Sequence, residues 1–388
     1  MALTVVYAGM QFLFGPLIGS LSDRFGRRPV LLLSIGALGL DYILLAIAPT
    51  VFLLFIGRII AGIAGATQST AVAVAADLSD GENRAKTMGL VFAGFGLGFI
   101  IGPALGGLLG WLGTEQPAFL GPQLQAFFGQ LGNRAPMYMA ALLSLANFAF
   151  GFFVFKESLP LKNRRPFSLL RANPLGAILS IRHLRGIFLL LAVIFLFGVA
   201  QVVYPAVWSF FARAAVGWNV GQVGLSLTIV GIGFFVVQAV LVGPLTKRFG
   251  GKCQHRKGNK VEGLGFNLIA FTVLTFARQD WLIWAGIPIS ALGILVGPAA
   301  SALLSKSVDE TRQGEVQGIS ASLNAIAFLI GPIILTNTFS FYTGSDAPVF
   351  WPGAPFGIAA LIVVVCIPLM ILFLRGRQAS SAVEEHAA

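Results

Sequence analysis

Gly15-Pro16-Leu17-Ile18-Gly19-Ser20-Leu21-Ser22-Asp23-Arg24-Phe25-Gly26-Arg27-Arg28-Pro29 separates two apolar runs by a tight turn of one acid and three arginines. The runs, 3–21 and 29–49, are each long enough to cross a bilayer as a helix. A turn of this kind joins two membrane helices on the side that holds the positive charge. Asp23 has basic neighbours one, four and five residues on. Gly19 allows close helix approach, and Gly26 allows a sharp backbone turn.

The rest of the chain follows the same pattern. Over 388 residues, 56% are hydrophobic and 11% charged, and the mean hydropathy is +0.86. Apolar stretches of membrane-spanning length recur throughout, so a soluble domain is excluded. The net charge of +11 does not point to nucleic acid, because the basic residues alternate between loops. Of the 26 lysines and arginines, all but Arg58, Arg134, Arg213 and Arg278 fall in every second loop and the tail. The basic face is therefore expected to be cytoplasmic. Cys253 and Cys366 make no disulfide framework, and His183, His255 and His386 lack metal-ligand spacing. No cleavable signal peptide is expected, since the N-terminus runs directly into an apolar span.

Spans are predicted near 3–21, 29–49, 51–76, 85–110, 137–155, 187–212, 220–246, 261–277, 281–304, 315–338 and 351–374. The fold class is thus an all-α integral membrane protein. Segment 156–186 is rich in basic residues, with prolines at 160, 166 and 174, and reads as a cytoplasmic linker between helical bundles at 1–155 and 187–388. The loop 111–136 is long enough for short interfacial structure on the other face. Gly15-Pro16-Leu17 returns as Gly243-Pro244-Leu245, and Ile101-Gly102-Pro103 returns as Ile330-Gly331-Pro332. Two landmarks at nearly equal offsets indicate a parallel repeat. By that repeat, the counterpart of 187–212 lies upstream of residue 1, so about 11 helices of a 12-helix plan are expected, without the first. Residues 252–260 form a polar insert, readable either as a long cytoplasmic loop or as a scrambled reading frame.

Charged residues inside the bilayer are costly and are functional candidates by default. Asp41 lies mid-span, with a proton or substrate role or a structural hydrogen bond as its alternatives. Arg58 either serves the same site or snorkels to the interface. Glu262 is equally a coupling acid or a charge at a helix N-terminus. Gly98, Gly102, Pro103, Gly106 and Gly107 form a stripe of small residues with a proline, suited to close packing or to a hinge. Phe92, Phe95, Phe99, Trp208, Phe210, Phe211 and Phe235 are candidate cavity walls. No Ser/His/Asp set or phosphate loop appears, and no enzyme is expected.

The pattern G-x-L-x-D-R-x-G-R-R over Gly19–Arg28 resembles the signature loop of the major facilitator superfamily. The glycine run ending in G-P-x-x-G-G at Gly102–Gly107 resembles the helix 5 motif of its antiporters. Ser22–Ser34, Leu40-Asp41-Tyr42, Gly57-Arg58 with Gly62 and Gly65-Ala66-Thr67, and Ala76-Asp77 with Arg84 are similar to the bacterial tetracycline/proton antiporters. This resemblance implies two helical bundles and proton-coupled efflux of a tetracycline-like or other amphipathic drug by alternating access. It also implies no cofactor beyond the proton gradient and a substrate that arrives as a divalent-cation chelate. The expected setting is the bacterial inner membrane, as a monomer, with drug, protons and lipid as partners. By the same resemblance, Asp23 and Arg27 gate the transition, together with Gly19, Arg24, Gly26 and Arg28. Asp41 and Glu262 serve coupling, and Arg58, Asp77 and Arg84 support a cytoplasmic lock. Phe234 stands where tetracycline exporters often carry a histidine. The competing expectation is a truncated, transport-inactive protein of the same fold.

Overall fold

The computed structural model describes residues 2–78, 84–164, 187–237, 259–293, 296–305, 307 and 313–387. Among these the chain is helical, without strands. Eight segments are long and apolar enough to cross a membrane, and Val220–Val236 and Gly263–Phe276 are shorter apolar helices. Most of the linker and the polar insert 252–258 lie outside the described residues.

The first unit comprises Met1–Gly176 with Asn219–Thr228. Helix α1 (Ala2–Phe25) ends at Gly26, whose φ of 106° lies in the left-handed region that favours glycine, and α2 (Arg27–Ile47) starts at once. Thr50 caps α3 (Val51–Gly65) through its hydroxyl, which accepts from the Leu53 N–H. The span expected over 51–76 is broken: α3 stops at Gly65 and α4 (Gln68–Asp77) resumes. Helix α5 (Arg84–Glu115) carries Pro103 within a single long element. The loop after it holds a short helix, α6 (Gly121–Leu131), before α7 (Ala135–Val154). Helix α1 approaches α3 closely, since a Cβ on Gly62 would stand 2.7 Å from the Tyr7 carbonyl.

The second unit comprises Ala177–Trp218 with Ile229–Ala388. The span expected over 187–212 is likewise divided, into α8 (Phe188–Gln201) and α9 (Val203–Val216). Pro205 has no N–H to donate to the Gln201 carbonyl, which accounts for a break there. Gly217 ends α9 in the left-handed conformation (φ 73°). Helices α10 (Val220–Val236), α11 (Asn259–Phe276), α12 (Asp280–Gly293), α13 (Val296–Ser305), α14 (Gln313–Thr343) and α15 (Ala354–Ala387) follow. Residues Asn219–Thr228, the start of α10, group with the first unit.

The core of the second unit is aromatic. Phe211 and Phe356 stand 4.8 Å apart edge to face, and Tyr204, Trp208 and Phe271 pack around them. Trp208 and Phe211 are therefore buried inside one unit, packed against neighbouring aromatics. Phe99, Phe210 and Phe235 are exposed, and the side chains of Phe92 and Phe95 lie outside the described residues. Outward-facing Leu33, Leu142 and Phe153 fit a molecule whose surroundings are lipid rather than water.

Candidate functional site

Two clusters of charge lie in the first unit, and α2 contributes to both. At the turn, Arg27 is nearly buried and meets two acids: its Nη1 lies 2.5 Å from Asp23 Oδ1 and its Nε 3.2 Å from Asp77 Oδ2. Nη1 also donates to Ser22 Oγ at 2.6 Å, and that hydroxyl donates to the Gly19 carbonyl at 2.8 Å. The one guanidinium thus ties the end of α1, the start of α2 and the end of α4 together.

Glu157, just beyond α7, completes this cluster. Its carboxylate accepts from the backbone N–H of Arg27 at 2.8 Å and of Arg28 at 3.2 Å. These N–H groups open α2 and have no intrahelical partner, and the positive end of the helix dipole favours a carboxylate there. Burial opposes ionisation of Glu157, but the N–H bonds from Leu159, Arg27 and Arg28 and the charge of Arg164 outweigh it. The carboxyl is held below its ordinary range. A Cβ on Gly26 would stand 2.8 Å from Arg164 Nη2, the movable end of a long side chain, so it is the φ of 106° that calls for glycine there. Arg28 donates to the Phe152 carbonyl at 2.6 Å and lies over the Phe152 ring. Arg24 lies over Phe25.

Fourteen residues further along α2, about 21 Å at the helical rise, comes the second cluster. Asp41, 1% exposed, accepts from Arg58 Nη2 on α3 at 3.3 Å. Arg58 therefore has an acid for a partner. Gly57 makes the approach possible, since a Cβ there would come 2.6 Å from Asp41 Oδ1. That Oδ1 has no hydrogen-bond partner among the described residues. The Arg58 guanidinium sits 5.8 Å from the centre of the Tyr7 ring. The Tyr7 hydroxyl accepts from Gln11 Nε2 at 2.9 Å, and the same nitrogen reaches the Gly65 carbonyl at 3.3 Å, at the break between α3 and α4. Beside this group lies a cavity of about 370 Å³, lined by Thr4, Tyr7, Leu45, Leu54, Arg58 and Met137. Those residues belong to the ends of α1, α2, α3 and α7 remote from the turn.

The small residues of α5 divide in two. Gly98, Gly102 and Gly106 have no described neighbour within 4 Å of where a Cβ would be. Gly107 meets Gly224 of α10, where a Cβ would come 2.6 Å from the Gly224 Cα. The close approach thus falls on Gly107, and Pro103 lies beside it through its carbonyl, 2.9 Å from a Cβ on Gly224. Glu262 lies in α11 and Arg84 opens α5, with both side chains outside the described residues. Among the described residues, no group of three His, Cys, Asp or Glu side chains could hold a metal ion.

Sequence reading missed Glu157, Tyr7, Gln11 and Ser22. Glu157 carried one signal, as the lone acid in a basic linker, but its partners lie some 130 residues earlier. The polar side chains of α1, in a helix otherwise apolar, were the signal for Tyr7 and Gln11.

The family model for the Major Facilitator Superfamily matches residues 1–256 and 197–387. The tetracycline resistance protein of class C from Escherichia coli is 37% identical over 371 residues, 95% of this chain and 85% of that protein. The class G protein from Vibrio anguillarum is 33% identical, over 95% of this chain and 86% of that one. Among solved structures, a variant of the nucleoside transporter NupG aligns with a TM-score of 0.71 at 14% identity, covering 96% of this chain and 90% of its own. The human organic anion transporter MFSD10 aligns with a TM-score of 0.61 at 22% identity, covering 95% and 82%. At these identities the two structures speak to the fold.

Proposed function

Because this chain belongs to the Major Facilitator Superfamily, we propose that it is a proton-coupled antiporter exporting a tetracycline-like or other amphipathic drug by alternating access, in the cytoplasmic membrane of a bacterium. It is a multi-pass membrane carrier by family and by its apolar helices. The tetracycline resistance proteins among its relatives support the drug class.

The observation that carries this reading is the Asp41–Arg58 pair beside the 370 Å³ cavity. A carboxylate buried at bilayer depth is costly, and the guanidinium that faces it offsets part of that cost. A proton arriving at Asp41 Oδ1, which has no partner among the described residues, cancels the pair and releases Arg58 toward the cavity. A drug carried as its divalent-cation chelate has the carboxylate to bind when Asp41 is deprotonated, and loses it when the proton arrives. Proton and drug thereby compete for one site, which is the requirement of antiport. Helix α2 links this event to Arg27 at the turn, whose ion pairs with Asp23 and Asp77 hold one of two arrangements of the helix ends. Glu262 is the candidate second acid, in the other unit, and Arg84 the candidate further cation of the lock.

Purified protein in liposomes, given a tetracycline–magnesium chelate and a panel of amphipathic drugs under an imposed pH gradient, tests this. Uphill accumulation that collapses with the gradient is the expected result, with Asp41→Asn abolishing it. Accumulation indifferent both to the gradient and to Asp41→Asn would overturn the proposal.

A further inference from the structure

Helix α6 lies in neither of the two clusters, and its exposed face is unlike that of a solvated loop. The chain crosses from the turn to the far end of the first unit along α5 and returns along α7, whose Phe152 carbonyl is back at Arg28. Helix α6 therefore sits at the end of the unit opposite the basic turn, tethered between two membrane-spanning helices. Its 11 residues extend about 16 Å, half the hydrocarbon thickness, so it cannot cross. Gly121 and Gly132, both at positive φ, turn the chain at its two ends. Its inner side is fixed on α5: Gln125 Nε2 donates to the Gln116 and Pro117 carbonyls at 3.2 and 3.1 Å, and a Cβ on Gly129 would come 2.8 Å from the Gln116 amide.

The outer side splits by helical periodicity. Leu124, Phe127 and Leu131 recur at spacings of three and four and share one stripe. Leu124 is 49% and Phe127 54% exposed. Gln123 and Gln130, also exposed, fall on the adjoining stripe. Between Glu115 and Arg134 there is no charged residue. A short, uncharged helix with an apolar stripe, a glutamine stripe and both ends held at the tips of spanning helices matches an interfacial helix. The lipid-facing residues of the flanking helices, such as Leu108 and Leu142, continue its apolar surface toward the acyl chains.

We propose that α6 lies in the plane of the bilayer interface on the face opposite the basic turn, with Leu124, Phe127 and Leu131 among the lipid and Gln123 and Gln130 in water. The partner of this surface is the lipid leaflet itself. Through Gly113, which packs on the Gly132 backbone, and the Trp111–Phe119 ring contact, that anchorage fixes the end of α5.

The test uses the full chain with Cys253 and Cys366 replaced, in phosphatidylcholine vesicles. Single cysteines at 123, 124, 127 and 130 are labelled with an environment-sensitive fluorophore. Labels at 124 and 127 should be quenched by shallow nitroxide lipids and not by aqueous iodide, with the reverse at 123 and 130. Equal iodide quenching at all four positions would show a solvated loop and overturn the proposal. Protection of 124 and 127 from both quenchers would show a protein partner, such as a second copy, and overturn it equally. Should labelling disturb the fold, the unmodified chain can be crosslinked with a photoreactive lipid. Adducts on Phe119, Leu124 or Phe127 are then expected, and a 116–133 peptide free of adducts sinks the idea.

Discussion

At the scale of single residues, the two clusters behave differently on mutation because one is buried in lipid and the other is wet. Arg58→Ala leaves Asp41 as an uncompensated buried charge, a loss of about 3–5 kcal/mol for a buried pair. We expect a large fall in the thermal midpoint of the purified protein, largely restored in the Asp41→Asn/Arg58→Gln double variant. A double variant as unstable as the single would mean the pair is not the cause. At the turn, Asp23 is partly exposed and its pair with Arg27 contributes little to stability, about 1 kcal/mol or less. Asp23→Asn and Arg27→Ala should each stop transport while the protein stays in the membrane, and normal efflux at normal expression would remove the turn from the mechanism. Glu157 adds a pH dependence. Its carboxyl is depressed in the folded state, so its cap on α2 is present above the ordinary glutamate range and is lost as pH falls through the lower folded value. Thermal midpoints of the parent and Glu157→Gln should therefore differ most near neutral pH and converge on acidification. A gap that widens in acid would contradict the cap.

Whole elements show where sequence is informative and where it stops. Apolar length and the Gly-Pro punctuation located the starts of the helices to within a few residues, because a bilayer demands one long apolar run per crossing. The break at Gly65–Thr67 was not visible, since a broken span keeps the hydropathy of a whole one, whereas Pro205 was a signal for the break at Val202. They depend on what receives the freed carbonyls, as Gln11 does for Gly65. Asp41 and Arg58 were each legible as intramembrane charges, but their pairing was not, because a separation of 17 residues across a helix–turn–helix fixes no contact. The burial of Trp208 and Phe211 in the core was not legible, because an aromatic in an apolar helix has the same signature against lipid, ligand or core. The contact between α5 and α10 yields a prediction at this scale. Any side chain on Gly107 meets the Gly224 backbone, which has no flexible end to move aside. Gly107→Leu should cost about 1–3 kcal/mol by overpacking. It should also abolish disulfide formation between cysteines placed at Gly110 and Val220, which otherwise face each other. Unchanged crosslinking would show that α5 and α10 do not rely on this approach.

Across the whole molecule, the repeat brings out an asymmetry. The pattern Leu38-Gly39-Leu40-Asp41 in α2 is echoed by Leu264-Gly265-Phe266-Asn267 of α11, in the second unit, close to the offset of the Gly-Pro landmarks. Each Asx side chain is fully buried and bonds to the next helix in sequence, but the chemistry differs. Asp41 faces a guanidinium. Asn267 donates through Nδ2 to the Gly263 and Gly293 carbonyls at 3.1 and 2.8 Å, and its Oδ1 accepts from Gln201 Nε2 at 3.0 Å. One unit thus holds at this position a group that can exchange a proton, and the other holds a neutral hub whose donors and acceptor are all used. Asn267→Asp would remove both donors and set an ionised oxygen against two carbonyl oxygens, leaving buried acceptors unpaired at about 1–3 kcal/mol. Asp41→Asn keeps an acceptor toward Arg58 and removes only a charge. We therefore expect Asn267→Asp to lower the thermal midpoint of the purified protein at neutral pH and to lose part of that penalty in acid, where the carboxyl regains a proton to donate. If instead Asn267→Asp is as stable as the parent at neutral pH, the second unit accommodates a charge at this position as readily as the first. The assignment of coupling to Asp41 on the ground of this asymmetry would then fail.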